Sequence, residues 1–401
     1  MSLISYDQAL ADLIHQLLVT KQVEAVPLLQ AQGRVLASNV VATQDSPAFD
    51  HSAMDGYAIC GLSEPRWQLV AYIATGDSTQ NLVLRPGQAV RIFTGAAVPK
   101  GTEAVLPQEE VSVIDDFVSC INPIKMQQHI RLRAEEYQQG TVLIAAQQVL
   151  NATHIAIAAS QGYTEFACYQ KLKVCVFSSG NELQALGQKL QENQIYDSNR
   201  PLLMALLNQN QFIEVSDGGL LPDQQDIIQQ SLAQGANQND VVLISGGASV
   251  GDKDYSIAAL QCLGSIQQWK LAIKPGKPFG CGRIQQTQVF VLPGNPVACW
   301  VTYLILVLPA LKILAGFTKQ QALPMRLQAT AQFNIERPQS RQQFLCGQLT
   351  TEFGQLHAKI HSSQSSAMLT HCGSSNALVI VPAQQTVREG QSVQVIYLKE
   401  A

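Results

Sequence analysis

Charge is scarce in this chain. Only 14% of its 401 residues are Asp, Glu, Lys or Arg, and Lys and Arg together number 26 against 30 for Asp and Glu. The resulting net charge of −4 argues against a general nucleic-acid binder. Gln, Asn and Ser fill many of the polar positions instead. The nine cysteines form no CxxC pair, and their scatter argues against a zinc site and a disulfide framework. Several sit in apolar runs such as Val174-Cys175-Val176, so buried free thiols and a reducing, cytoplasmic setting are expected. The N-terminal stretch has no basic region ahead of its apolar residues and no small-residue cleavage site, so it does not read as a signal peptide. The one uncharged apolar run, residues 297–311, is shorter than the roughly 18–20 residues a membrane span needs. It also contains Pro309 and follows directly on a strand and turn, so the expectation is a helix buried against a sheet and no membrane association.

What is present falls into blocks of different rhythm. Residues 1–40 read as helical, with Gln32-Gly33-Arg34 as a turn. Residues 41–142 alternate short apolar stretches with turns and read as a β-rich domain. Residues 143–170 include Asn151-Ala152-Thr153, a helix-cap signature, and are expected to join residues 1–40 in a small discontinuous helical domain. In residues 171–320, near-continuous apolar runs at 172–178, 241–244 and 289–292 each end in a glycine-containing loop and alternate with helical patterns. That is the signature of a parallel α/β sheet with strands buried on both faces. Residues 321–401 return to strands and read as a small C-terminal β-barrel. The fold class expected is therefore multidomain α/β plus β.

The α/β block carries the chemistry. In such sheets ligands lie beyond the carboxyl ends of the strands, so its three glycine loops should share one edge. They are Ser179-Gly180, the turn through Gly246, Gly247, Ser249 and Gly251, and Pro293-Gly294-Asn295. The second loop matches neither a Walker loop nor the spaced GxGxxG of dinucleotide folds. Three of the chain's few basic residues, Lys270, Lys274 and Lys277, fall within ten positions, and if 270–274 is extended the first two share a face. Free backbone N–H groups beside lysines suit a multiply charged anion. Glu182, Asp223 and Asp254 lie at or just past strand ends and could hold Mg²⁺, which takes oxygen ligands and bridges phosphates. In the β-rich block, Asp55 stands among small residues, and Thr94-Gly95 forms a further turn.

These segments together resemble the molybdopterin molybdenumtransferases, the family that includes the C-terminal domain of gephyrin. The resemblance is carried by Ser52-Ala53-Met54-Asp55-Gly56-Tyr57-Ala58, Arg91-Ile92-Phe93-Thr94-Gly95-Ala96, Gln194-Ile195-Tyr196-Asp197-Ser198-Asn199-Arg200, residues 246–254, Ile273-Lys274-Pro275-Gly276-Lys277-Pro278 and Leu292-Pro293-Gly294-Asn295-Pro296-Val297. It spans almost the whole chain. It implies an elongated homodimer in which the active site lies between the α/β domain of one subunit and the β-rich domain of the other. It implies conversion of adenylylated molybdopterin and molybdate to molybdenum cofactor, with release of AMP and a requirement for a divalent metal such as Mg²⁺. Other proteins of cofactor biosynthesis are expected partners. On that analogy Asp55, Glu182, Asp223, Asp254, Lys270 and Lys274 are functional positions, and Lys274, Lys277, Arg341 and Ser366 contact molybdate.

Departures from the family pattern are also present. Ala134-Glu135-Glu136 replaces Gly-Glu-Asp, His51 replaces a common Asn, and Ala298 stands where Ser is frequent. Gln342 and Gln343 replace basic residues near Arg341, and Ser365-Ser366-Ala367 replaces a Gly-Ser-Gly type turn. Two other readings stay open at this point. One is a molybdopterin adenylyltransferase, whose chain is normally the α/β domain alone. The other is a gephyrin-like scaffold that binds protein partners.

Overall fold

The structure, a computed structural model, describes residues 3–17, 22–247, 255–365 and 367–398. The chain divides into two compact units, one of residues 39–145 with 156–164 and the other of the remaining segments. Each is described by itself.

The larger unit is built on a seven-stranded sheet. Its strand order is Leu3–Ile4, Ser265–Leu271, Pro278–Ile284, Thr287–Leu292, Val241–Ser245, Leu172–Ser179 and Ile213–Leu221. All run parallel except Pro278–Ile284, which is antiparallel to both neighbours. Burial on both faces explains the apolar runs. Val241 and Leu243 enter one core cluster while Val242 and Ile244 enter the other, and Val174 and Val176 separate from Cys175 and Phe177 in the same way. Helices Gln225–Gln238 and Tyr255–Leu263 cover one face through Ile228, Leu232, Ile257 and Leu260. Helices Tyr6–Gln16, Asn199–Asn208 and the long segment Pro296–Leu314 cover the other.

Pro296–Leu314 is long and apolar enough to cross a membrane by length and composition, yet 78% of its most apolar window is buried within the protein. It is the core helix the sequence suggests. Pro309 does not interrupt it, because the turn Tyr303–Val307 widens to a π-helix immediately before. The wider turn gives the proline ring room where a regular turn would clash with the carbonyl four residues earlier.

The C-terminal strands close into a barrel. Gln342–Glu352 pairs with both Gln355–Ile360 and Ala377–Val381, and Arg326–Ala331 and Ser392–Tyr397 complete the ring. Alternation again assigns the faces. Ala377, Val379 and Val381 fill the small interior with Ala329, Ala331, Val393 and Val395, while Leu378, Ile380, Phe344 and Ile396 join the α/β core.

Residues 1–40 depart from the helical expectation. The helix Tyr6–Gln16 starts at Ser5, whose side chain accepts a hydrogen bond from the Gln8 N–H at 3.3 Å, and buries Tyr6, Ala9, Leu10 and Leu13 on the α/β core. The second stretch is not helical. Val23–Pro27 is a strand that pairs antiparallel with Glu165–Tyr169, and β-branched Val23 and Val26 favour that extended state. Helix Ala152–Ser160 follows Asn151, whose side-chain oxygen accepts from the His154 N–H at 2.9 Å.

The smaller unit centres on a six-stranded sheet in the order Ala104–Pro107, Gly56–Cys60, Gln88–Ile92, Trp67–Ile73, Phe117–Cys120 and Val111–Ile114. Its two faces are filled by separate clusters around Val90 and Ile92 and around Trp67 and Leu106.

Candidate active site

Several neighbouring strands deliver their carboxyl ends to one crevice of about 310 Å³. Ser179 ends its strand and is followed by Gly180. Ser245 leads into Gly246 and Gly247, Leu292 leads into Pro293 and Gly294, and Asp223 lies just past Leu221; all but Leu292 and Leu221 line the crevice. Gly246 has φ +102°, and a side chain there would begin 2.2 Å from the Ser179 carbonyl oxygen. Only glycine lets these two strand ends approach so closely.

The strand that leads to Asp223 carries a bulge. The sequence suggests a strand end within residues 215–219, but the strand continues to Leu221, with Gly218 the extra residue between the Asp217 and Gly219 pairings. Asp217 instead accepts from the Arg200 guanidinium at 2.6 Å. Asp223 Oδ1 accepts from Ser179 Oγ at 2.8 Å and its Oδ2 from the Asn181 N–H at 3.3 Å. Glu182 folds back over Gly180, its carboxylate oxygen 2.8 Å from where a side chain at 180 would begin. The two carboxylates therefore flank the Ser179-Gly180 loop.

The floor is a polar network to which sequence reasoning assigned no role. Ser178 Oγ donates to Asp197 Oδ1 at 2.9 Å and lies 3.0 Å from Ser245 Oγ. Asp197 also accepts from the backbone N–H and the guanidinium of Arg200, at 3.2 and 3.0 Å, so it satisfies a first-turn N–H of helix Asn199–Asn208 while buried at 2% exposure. Asn199 donates to the Gly294 carbonyl at 2.7 Å, and its Oδ1 is buried without a partner. The available signal was Asp197-Ser198-Asn199 ahead of an apolar helix, a capping pattern that looks structural when read alone.

The lysines are arranged differently from the expectation of a shared face. Lys270 lies in Ser265–Leu271, paired in register with Pro278, a residue of the crevice wall. The strand ends at Leu271, and Ile273–Lys274 leaves to pair with Gln342–Gln343 of the barrel. Lys270 and Lys274 thus belong to two sheets. Lys274 lines a separate small crevice with Phe344, Cys346, Ser365 and His371. Arg341 is close by, donating to the Ile273 carbonyl at 2.9 Å. Gln343 has its side-chain nitrogen buried and unpaired. Lys277 is exposed, and Asn295 is exposed at the start of helix Pro296–Thr302. Asp254, Ser249, Gly251 and Ser366 lie outside the described residues.

In the smaller unit Asp55 is exposed, and its Oδ1 accepts from both the N–H and the hydroxyl of Thr94, at 2.8 and 2.7 Å. Those two hydrogen bonds, the backbone one foremost, hold its carboxyl below the usual range. Gly95 donates to the Ser52 carbonyl at 2.8 Å, which ties the two loops together. Arg91 lies over the rings of Tyr57 and Phe93 and donates to the Gly56 carbonyl at 3.1 Å. Ala134 adopts φ +61° in the position where the family pattern has glycine, and Glu136 accepts from Ser46 Oγ at 2.8 Å.

Family comparisons agree with this layout along the full length. Residues 4–162 match the MoeA N-terminal region (domain I and II), 175–313 a probable molybdopterin binding domain, and 328–398 the MoeA C-terminal region (domain IV). The molybdopterin molybdenumtransferase of Haemophilus influenzae is 35% identical over 98% of both chains. The chain belongs to the molybdopterin molybdenumtransferase family. The relative of that name from a Nostoc species is 34% identical over 96% of this chain and 91% of its own. The crystal structure of a molybdopterin biosynthesis MoeA protein from Pyrococcus horikoshii OT3 superposes with a TM-score of 0.83 at 27% identity, covering 99% of this chain and all of that one.

Among the described residues, no three His, Cys, Asp or Glu side chains group closely enough to hold a metal. Mg²⁺ asks for less, since one or two carboxylates with substrate phosphates and waters suffice. Glu182 and Asp223, flanking a loop with a serine hydroxyl, supply the oxygen donors it prefers.

Proposed function

We propose that this chain is a transferase of molybdenum cofactor biosynthesis that inserts molybdate into adenylylated molybdopterin and releases AMP. The observation that carries the reading is the meeting of Ser179-Gly180, Gly246-Gly247 and Pro293-Gly294 with Glu182 and Asp223 in one crevice, in a chain that matches the family from end to end. Match regions on both sides of the α/β domain favour it over an adenylyltransferase of that domain alone.

Each group has a task there. The pterin diphosphate lies along the glycine loops, whose backbone N–H groups and the N-terminus of the Pro296–Leu314 helix favour anions. The unpaired Asn199 Oδ1 accepts a hydrogen bond from a ring N–H. Glu182 and Asp223, with Asp254, hold Mg²⁺, which when bound neutralises charge on the phosphate oxygens. Lys270 stabilises the negative charge that builds as the pyrophosphate bond breaks. Lys274, Lys277, Arg341 and Ser366 receive molybdate, and Asp55, Thr94 and Gly95 of the β-rich domain serve the same reaction. We further propose four domains (1–40 with 143–170, 41–142, 171–320 and 321–401), a homodimer that cooperates with other proteins of cofactor biosynthesis, and a cytoplasmic location. All nine cysteines are free, in keeping with a reducing compartment.

The purified protein, incubated with adenylylated molybdopterin, Mg²⁺ and molybdate, releases AMP, and omitting molybdate suppresses the release. No AMP from the complete mixture overturns the reading.

A further inference from the structure

The small crevice that Lys274 lines has a dithiol in and behind its wall. Cys346 lies on strand Gln342–Glu352 and Cys372 on the short helix Leu369–Gly373, with their sulfurs 4.0 Å apart. Both residues are buried, at 3% and 5% exposure, and Cys346 itself lines the crevice. The backbone of Cys346 is clamped by Gln364, which accepts from its N–H and donates to its carbonyl, both at 3.0 Å. Gln364 thus fixes one wall of the crevice to Cys346, and helix Leu369–Gly373 sets Cys372 against the same sulfur. Ser365, Met368 and His371 line the crevice with Lys274.

We propose that Cys346 and Cys372 are an oxidative modification site, a dithiol that closes to a disulfide and reshapes the Lys274 crevice. The oxidant is a small peroxide. The Cys346 thiolate sulfur attacks the O–O bond of hydrogen peroxide, which breaks to give a sulfenic acid and, with a proton, one water. The Cys372 sulfur then attacks that sulfenic sulfur, and its thiol proton leaves with the departing hydroxide as a second water. Two thiols lose two electrons and two protons, and one peroxide becomes two waters. Closing the bond brings the sulfurs from 4.0 Å to about 2.0 Å, which draws helix Leu369–Gly373 toward the strand. The hydrogen bond from Cys372 holds the Cys346 thiol below its ordinary range, which favours Cys346 as the attacking group.

The coupling to turnover rests on the reading of Lys274 as a molybdate contact, whereas the disulfide itself does not. The test therefore has two readouts on the full-length protein treated with hydrogen peroxide. Peptide mapping without reduction is expected to find Cys346 joined to Cys372, reversed by dithiothreitol and absent in Cys372→Ala. The KM for molybdate is expected to rise severalfold on oxidation, recover on reduction, and stay unmoved by peroxide in Cys346→Ala. Failure to find the joined peptide in the folded protein overturns the site. A joined peptide with an unchanged molybdate KM overturns its coupling to the crevice and leaves the reading of the main crevice intact.

Discussion

Asp55 is an exposed carboxylate held by the backbone N–H and the hydroxyl of Thr94, at 2.8 and 2.7 Å. Small neighbours single it out in the sequence, but its two hydrogen bonds come from a loop 39 positions away. Both bonds stabilise the ionised form, so the folded-state pKa is depressed. Their contribution is present above the unfolded carboxylate value and is lost as pH falls through the folded one. Thr94→Val removes the hydroxyl and keeps the backbone donor. The expected result is an upward shift of the Asp55 titration, followed by carboxyl NMR; an unmoved titration contradicts the assignment. Ala134 offers a second test at this scale. With φ +61° it occupies a conformation that costs an L-residue about 1–2 kcal/mol. Ala134→Gly is expected to raise stability by up to about 1 kcal/mol, since glycine's greater freedom in the unfolded chain offsets part of the relief. Urea denaturation measures it, and a loss of stability contradicts the account. Asp197 and Asn199 entered the sequence reading only as part of the 194–200 motif, because polar residues at a helix start look the same whether or not a crevice lies above them.

At the scale of elements, near-continuous apolar runs made the central strands readable, and the glycine loops that end them marked the carboxyl edge where they converge. The lysine strand was misjudged for a physical reason. Nothing local reveals that the chain turns at Ala272, because the pairing that captures Ile273–Lys274 comes from Gln342–Gln343, nearly seventy residues on. The same holds for Val23–Pro27, whose partner is Glu165–Tyr169. Long-range pairing decides such short segments whatever their local pattern suggests. Gly246 is where element packing can be tested. Gly246→Ala forces a side chain against the Ser179 carbonyl in a strained conformation, at a backbone cost of about 1–3 kcal/mol. The expected outcome is a lower denaturation midpoint together with reduced AMP release. Unchanged values of both contradict the close approach of the two strand ends.

For the whole molecule, the return to short strand-like segments after residue 321 made the closed C-terminal barrel readable. Association is a property that no single chain displays. Sedimentation is expected to give twice the chain mass, and a monomer at working concentrations contradicts the proposed homodimer. The central claim is that the carboxyl-edge crevice is where the adenylylated pterin is cleaved. Its most direct test is AMP release by Asp223→Asn, a near-isosteric change that keeps an acceptor for Ser179 and removes the charge. With thermal unfolding unchanged, the rate is predicted to fall by about a hundredfold, the scale of losing one electrostatic contact at a reacting phosphate. Release at the full rate in a folded Asp223→Asn enzyme would contradict the account.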